Sequence, residues 1–397
     1  MNIVALHTDF RLYWSSRLEA LSEYLKLNQS NLDVIEIAGQ GSPYSFEKNH
    51  KNKNCKWHIL FPDSKPEELT GKKIKPALFC LLDEINPDVI LAGAIAFPSG
   101  ALAVQWANSR PDKRVIIFDD SKIEAVKRNK FVNFIKQSVY NGVDAMFYPA
   151  EPWVPTGEFW GFSKEQMFFG VDVVDNTFWE NSIDPNPFDF NYFVAAGRQI
   201  PQKNFFAVIR AYHIYLQQVK KNNAYKLILI GNGPEHDRIM EYIQKNNLDD
   251  MILCMNFMSQ EELKVIYHNA NVLCLVSKSE TWGLVINEAM SAGCAIIASK
   301  ECGASEVLVR SDQNGYVISC DDIEEIAKSM IKYHTLSPLK KESMAKISKQ
   351  IISEWGLEKF CKGVAEACAF VTKSSKRNTS FLSKFIINHW MGQYRPI

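Results

Sequence analysis

The chain shows no excess of either charge, no CxxC cysteine pair, no low-complexity tract and no internal repeat, and each absence excludes a class of protein. With 45 basic and 45 acidic side chains the formal charge is zero. A general nucleic-acid binder would carry a basic excess, so no nucleic-acid partner is expected. The nine cysteines are odd in number, unpatterned and mostly set among apolar neighbours, which reads as reduced core thiols of a cytoplasmic protein and not as a disulfide framework. The eight histidines are scattered, and the acid pairs Asp119-Asp120, Asp249-Asp250 and Asp321-Asp322 lack ligand spacing. No metal or other cofactor is expected. The longest apolar stretch, Val89 to Ala107, is interrupted by Gly93, Pro98, Ser99 and Gly100 and reads as strand, loop and helix rather than as a membrane span. MNIVALH enters a strand directly, without the basic, apolar and small-residue order of a signal peptide, so a cytoplasmic location is expected.

What is there is regular alternation. A chain of 397 residues is too long for one ordinary core and suggests two domains. Strand-like runs at Ile3–Leu6, Asp33–Ile37, Asp88–Ala92, Val115–Phe118 and Ala145–Tyr148 alternate with helical stretches at Ser16–Leu27, Gly100–Ala107 and Phe131–Tyr140, which predicts βαβ units on a parallel sheet. Lys48 to Lys75, with eight lysines against three acids, reads as a solvated loop holding one strand, Trp57–Phe61. Asn181 to Phe190 has two prolines and little periodicity and reads as a linker. A second alternating series starts at Tyr192. The expected domains are 1–185 and 190–372, with a tail, 373–397, that either packs back on the first domain or, through its basic and apolar residues, lies on an anionic membrane surface.

Within the second series, ETWGLVINEAMSAG places Glu280 and Glu288 on either side of a helix start near Gly283. The first free N–H groups there, at about Gly283 and Leu284, point beyond the carboxyl end of the preceding strand, where the helix dipole favours an anion. At ~1.5 Å per residue Glu288 lies about 6 Å along the helix from Leu284, so the two carboxylates could grip hydroxyls on either side of a diphosphate. Acids near a helix start also occur simply to complement the dipole. Arg198 and Lys203 stand five residues apart in AAGRQIPQKN, a spacing suited to clamping a diphosphate but also to two solvated loop cations. Gly231 and Gly233 in ILIGNGPEH mark a tight turn after a strand.

From Phe193 to about Lys332 these motifs resemble the donor half of GT-B glycosyltransferases, specifically glycosyltransferase family 4, whose most specific signature is the Glu280/Glu288 pair. The resemblance implies two Rossmann-like doubly wound domains facing a cleft and a retaining transferase that moves a hexosyl group from a nucleotide diphosphate sugar, UDP-linked by default, without a metal. It assigns Gly197, Arg198 and Lys203 to the leaving diphosphate, and Gly231 and Gly233 to the turn beside the nucleotide. Glu280, Thr281, Trp282, Gly283 and Leu284 fall in the donor loop, with Glu288 on the ribose and Gly303 in a closing loop where Glu306 is either a ligand or a helix-start acid. Arg198, Lys203, Glu280 and Asp119 are the catalytic candidates. Two departures lie in the first half. HTDFRLYWSSRLEAL holds no glycine, leaving His7, Arg11 and Arg17 as either acceptor-facing or structural groups, and VIIFDDS puts Asp119 or Asp120 where many members have a histidine. The implied acceptor is a saccharide or lipid-linked saccharide, as in surface polysaccharide assembly. A nucleotide-sugar epimerase or a catalytically silent nucleotide-sugar binding protein is the alternative.

Overall fold

The computed structural model describes residues 1–40, 55–125, 128–181 and 185–394. The lysines at 48, 51 and 53 of the basic segment, residues 182–184 of the expected linker and Arg395 of the tail lie outside them. The chain divides into two compact units, Met1–Val173 with Leu357–Ile397, and Val174–Gly356.

The first unit holds seven strands: β1 (Asn2–His7), β2 (Asn31–Ala38), β3 (Lys56–Phe61), β4 (Val89–Ala92), β5 (Arg114–Phe118), β6 (Ala145–Tyr148) and β7 (Met167–Phe169). The second holds six: β8 (Tyr192–Ala196), β9 (Lys226–Ile230), β10 (Ile252–Met255), β11 (Val272–Leu275), β12 (Ala295–Ser299) and β13 (Gly315–Ile318). Every pairing is parallel, in the orders β3-β2-β1-β4-β5-β6-β7 and β10-β9-β8-β11-β12-β13. Both are doubly wound, and in each the strand order reverses beside the first strand, between β1 and β4 and between β8 and β11. Central strands such as VILA and YFVAA are buried throughout, because helices cover both faces of a parallel sheet.

Two segments differ from the sequence reading. The stretch taken as loop up to Lys75 already contains the start of the helix Gly71–Ile85, which Thr70 caps by accepting from the Lys73 N–H at 3.4 Å and which buries Ile74, Leu78 and Leu82 at four-residue spacing. The chain passes from one unit to the other at Val173, ahead of the expected linker, and returns at Leu357 rather than 373. The returning helix Leu357–Lys373 buries Phe360, Val364, Ala367 and Val371 against β6, β7 and the helix Tyr13–Leu27. Each of its larger buried apolar side chains contributes about 1.5–3 kcal/mol, so the C-terminal segment is an integral part of the first unit.

The tail continues on that unit. Lys376 Nζ donates to the carbonyls of Ala107, Arg110 and Lys113 at 2.5, 2.8 and 3.0 Å, and Arg377 donates to Gly161 at 2.7 Å and to Tyr140 at 3.3 Å. The helix Phe381–His389 packs on the helices Pro98–Asn108 and Lys130–Tyr140, burying Ser383 and Ile387. Among the described residues no helix is long and apolar enough to cross a membrane.

Candidate functional site

In a doubly wound sheet a ligand crevice forms beyond the strand ends at the point where the order reverses. In the second unit the loops leaving β8 and β11 flank that point, and they carry Gly197, Arg198 and Lys203 on one side and Glu280 to Leu284 on the other. The structure joins them: Lys203 Nζ and a Glu280 carboxylate oxygen form an ion pair, and Ser277 Oγ donates to the same carboxylate at 3.4 Å. Both charged side chains are only about one-fifth exposed. The loops are also joined through the backbone, Lys278 N–H donating to the Gln202 carbonyl at 2.8 Å.

The Glu280 backbone is held on both sides, its N–H donating to Glu301 and its carbonyl accepting from Gly303, each at 3.2 Å. Gly303 opens the short helix Gly303–Leu308, so this expected donor residue meets Glu280 through the main chain. Glu306 is exposed in the same helix. Thr281 is exposed, whereas Trp282 is buried, its Nε1 donating to Asn287 Oδ1 at 2.9 Å and its ring stacked on Trp355 at 5.8 Å. The Trp282 side chain therefore supports the loop, and what it offers a ligand is backbone.

Gly283, at φ 101°, is the residue before the helix Leu284–Ala292, which has no side-chain cap. A Cβ at Gly283 would sit 2.9 Å from Leu275 Cδ2, so glycine suits both the left-handed turn and the close packing. The first helical N–H groups, at Leu284 and Val285, stand at the positive end of the helix dipole, directly after the Gly283 turn. Glu288, one turn on, is 2% exposed and lies against Tyr267, whose phenol is raised well above its ordinary value by burial first and by the Glu288 charge second.

The glycine turn locks the floor. Gly231 has φ 125°, and a Cβ there would lie 2.0 Å from the Gly197 carbonyl oxygen; Gly233, at φ 158°, would place one 2.5 Å from the Gln199 oxygen. Gln199 was not singled out in the sequence. It is fully buried, its N–H donates to Asn232 at 2.9 Å, its carbonyl accepts from Glu235 N–H at 3.0 Å, and its side-chain oxygen meets His236 Nδ1 at 2.7 Å. Ser277 was also missed, though a lone polar residue closing the apolar run NVLCLVS is a legible sign.

The remaining candidates belong to the first unit. Asp119 follows β5, with Oδ1 accepting from Ser121 N–H at 2.9 Å and Oδ2 from the Tyr140 hydroxyl at 3.2 Å. His7, half-buried, stacks on Phe118 at 5.7 Å beside Phe10 and Trp14, and this enclosure pushes its pKa down to about 4, partly opposed by its hydrogen bond to the Asp9 carbonyl. Arg11 pairs with Asp9 at 2.7 Å. Arg17 is buried and donates to the Val173 carbonyl through two nitrogens at 2.9 and 2.7 Å, a structural use rather than an acceptor-facing one. Among the described residues no three His, Cys, Asp or Glu side chains gather as a metal site.

Residues 178–351 match the sequence profile of the family described as glycosyl transferases group 1. The N-acetyl-alpha-D-glucosaminyl L-malate synthase of Bacillus anthracis is 29% identical over 107 residues, 27% of this chain and 27% of that protein. The chain matches between 27% and 54% of the length of its curated relatives. A solved glycosyltransferase from Rickettsia africae ESF-5 superposes with a TM-score of 0.74 at 12% identity, covering 94% of this chain and 99% of that one. Anabaena HepE in complex with UDP does so with a TM-score of 0.70 at 16% identity, covering 93% and 100%. The fold is GT-B.

Proposed function

We propose that this chain, whose residues 178–351 are a glycosyl transferases group 1 segment on a GT-B fold, transfers a hexosyl group from a nucleotide diphosphate sugar to a saccharide acceptor with retention of configuration. The observation that carries the reading is the Lys203–Glu280 ion pair beside the uncapped helix start at Gly283 and Leu284. A cation and free amides together suit a diphosphate leaving group, whose charge grows as the sugar bond breaks. Arg198, on the same loop, adds a guanidinium able to fork two phosphate oxygens. Glu280 then faces the sugar hydroxyls. Glu288 takes the ribose hydroxyls, and Gly197, Gly231 and Gly233 give the nucleotide backbone its close approach.

The stabilisation is supplied by side chains and amides already in place, so the proposed reaction needs no divalent ion. With retention by same-face attack the departing phosphate oxygen takes the acceptor's proton, and no protein base is required. Asp119, its carboxylate held by Ser121 and Tyr140, is a fixed hydrogen-bond acceptor for a sugar hydroxyl. UDP is the preferred nucleotide, in keeping with the UDP complex of Anabaena HepE. An acceptor carried on a lipid, a cytoplasmic location and peripheral contact with an anionic membrane complete the proposal.

The experiment is a panel of UDP-, GDP- and ADP-sugars incubated with and without lipid-linked saccharides, reading released nucleotide and the anomeric configuration of the product. Acceptor-dependent release from one donor, with the anomeric configuration kept, is expected. Release independent of any acceptor, epimerised donor or an inverted product would overturn the reading.

A further inference from the structure

The exposed apolar side chains of this protein are concentrated, not scattered. Eleven large hydrophobic side chains are exposed among the described residues, and seven of them sit on adjoining segments of the first unit. Phe131, Val132 and Phe134, at 70%, 37% and 47% exposure, lie on the helix Lys130–Tyr140. Phe381, Leu382 and Phe385, at 88%, 53% and 56%, lie on the helix Phe381–His389, and Phe159 ends the helix Val154–Phe159. The two longer helices pack on one another, Asn141 Nδ2 donates to Ser383 Oγ at 3.3 Å, and Gln137 Nε2 donates to the Phe159 carbonyl at 3.1 Å. Scattered exposed apolar residues need no explanation, but seven of them gathered on segments that pack on one another mark a docking surface.

Its charge states the partner. Neither helix contains an acid, and Lys130 and Lys384 are exposed on them beside the phenylalanines. Aromatic residues interleaved with lysine on short amphipathic helices suit the boundary between headgroups and acyl chains, where the lysines meet lipid phosphates. A protein-facing core would be depleted in lysine. The face is firmly seated, since Ile387 is buried, Trp390 Nε1 donates to the Ile95 carbonyl at 2.7 Å, and Lys376 and Arg377 hold the connecting segment.

We propose that the helices Lys130–Tyr140 and Phe381–His389 together form a face that docks on an anionic lipid bilayer, the phenylalanines entering the interface and the lysines lying over the phosphates. This extends the membrane contact suggested above from the tail alone to a surface built from segments far apart in the chain, and it does not depend on the sugar-transfer reading. The full chain is sedimented with vesicles of pure phosphatidylcholine or with about 30 mol% phosphatidylglycerol. Binding at least ~10-fold tighter to the anionic vesicles and weakened by high salt is expected. The pairs Phe131→Ser with Phe134→Ser, and Phe381→Ser with Phe385→Ser, should each weaken it by about tenfold in variants whose melting curves show them still folded at the assay temperature. Lys130→Glu with Lys384→Glu should remove the preference for anionic lipid. Equal sedimentation with both vesicles, or unaltered binding by both phenylalanine pairs, overturns the proposal. So does a concentration-dependent dimer that those pairs dissolve, since it would give the face to a second copy. A chain that binds vesicles yet transfers no sugar retires the activity reading alone.

Discussion

Lys203 and Glu280, separated by 76 residues, are each other's counter-ion in the second unit. Under the proposed function the donor must separate them, its diphosphate taking the ammonium and its sugar hydroxyls the carboxylate. Removing the cation removes a preorganised contact to a developing anion. Lys203→Ala should therefore lower turnover by ~100-fold or more with the fold intact, as measured by initial rates beside a melting curve. Near-normal turnover in the folded variant would take Lys203 out of the site.

The pair also predicts opposite effects on nucleotide binding. Glu280→Gln releases Lys203 from its internal partner, so UDP should bind as well as before or more tightly while turnover falls. Glu288→Gln keeps volume beside Tyr267 but would lose the charged hydrogen bond to a ribose hydroxyl that the proposed function assigns to it, worth about 1.5–3 kcal/mol, so nucleotide should bind roughly ten- to a hundredfold more weakly. Calorimetric titration of UDP and GDP into both variants separates the two. Unchanged affinity in Glu288→Gln would reduce that carboxylate to a buried partner of Tyr267.

The turn at Gly231 leaves no space for a side chain. Gly231→Ala must move either its own backbone or that of Gly197, and strain in a left-handed position costs on the order of 1–3 kcal/mol. A melting temperature lowered by several degrees together with weakened nucleotide binding is expected; a variant with wild-type melting and binding would show that the turn tolerates a Cβ.

His7 gives a pH dependence of defined sign. Its folded pKa is about 4 against 6.5 for an open chain, so as pH falls from 6.5 toward 4 the unfolded chain binds a proton that the folded protein does not. Stability is lost across that window, by at most ~1.4 kcal/mol per pH unit from this group, and less given its partial exposure. His7→Gln should flatten the fall of melting temperature between pH 6.5 and 4.5. An identical slope in the variant would assign the acid sensitivity to other groups.

Activity should survive EDTA, because the proposed stabilisation comes from Arg198, Lys203 and helix amides. Complete loss restored by manganese would contradict it.

How far the sequence reaches depends on how local the cause is. The helix Gln260–Asn269 is legible to the residue because Ser259 and Glu262 form a reciprocal cap, and β9 and β13 are bounded by turns that end their apolar runs. β7 is not legible, since three residues at a sheet edge carry no period. The helix Gly71–Ile85 is masked by its lysines and Pro76, though Ile74, Leu78 and Leu82 keep the spacing. For Leu357–Lys373 the amphipathic pattern is visible, but which sheet it covers is decided by contacts distant in the chain. The site divides likewise: Arg198, Lys203, Glu280 and Gly283 can be read from motif spacing, whereas the support from Gln199 and Ser277 and the burial of Trp282 and Glu288 arise only when the loops meet.

The second unit is a closed excursion from the first. Its entry and exit are tied to one another, Asn176 Nδ2 donating to the Ile352 carbonyl at 2.7 Å. While residues 174–356 are unfolded, bringing the helix Leu357–Lys373 onto the first sheet means closing a very long, disordered loop, with its entropic cost. Once they are folded, that loop is already closed and the helix is delivered beside Val173 at almost no further cost. Folding should then proceed from the inside outward, and in pulsed hydrogen exchange the amides of β8 to β13 should gain protection before those of the helix that seals the first unit.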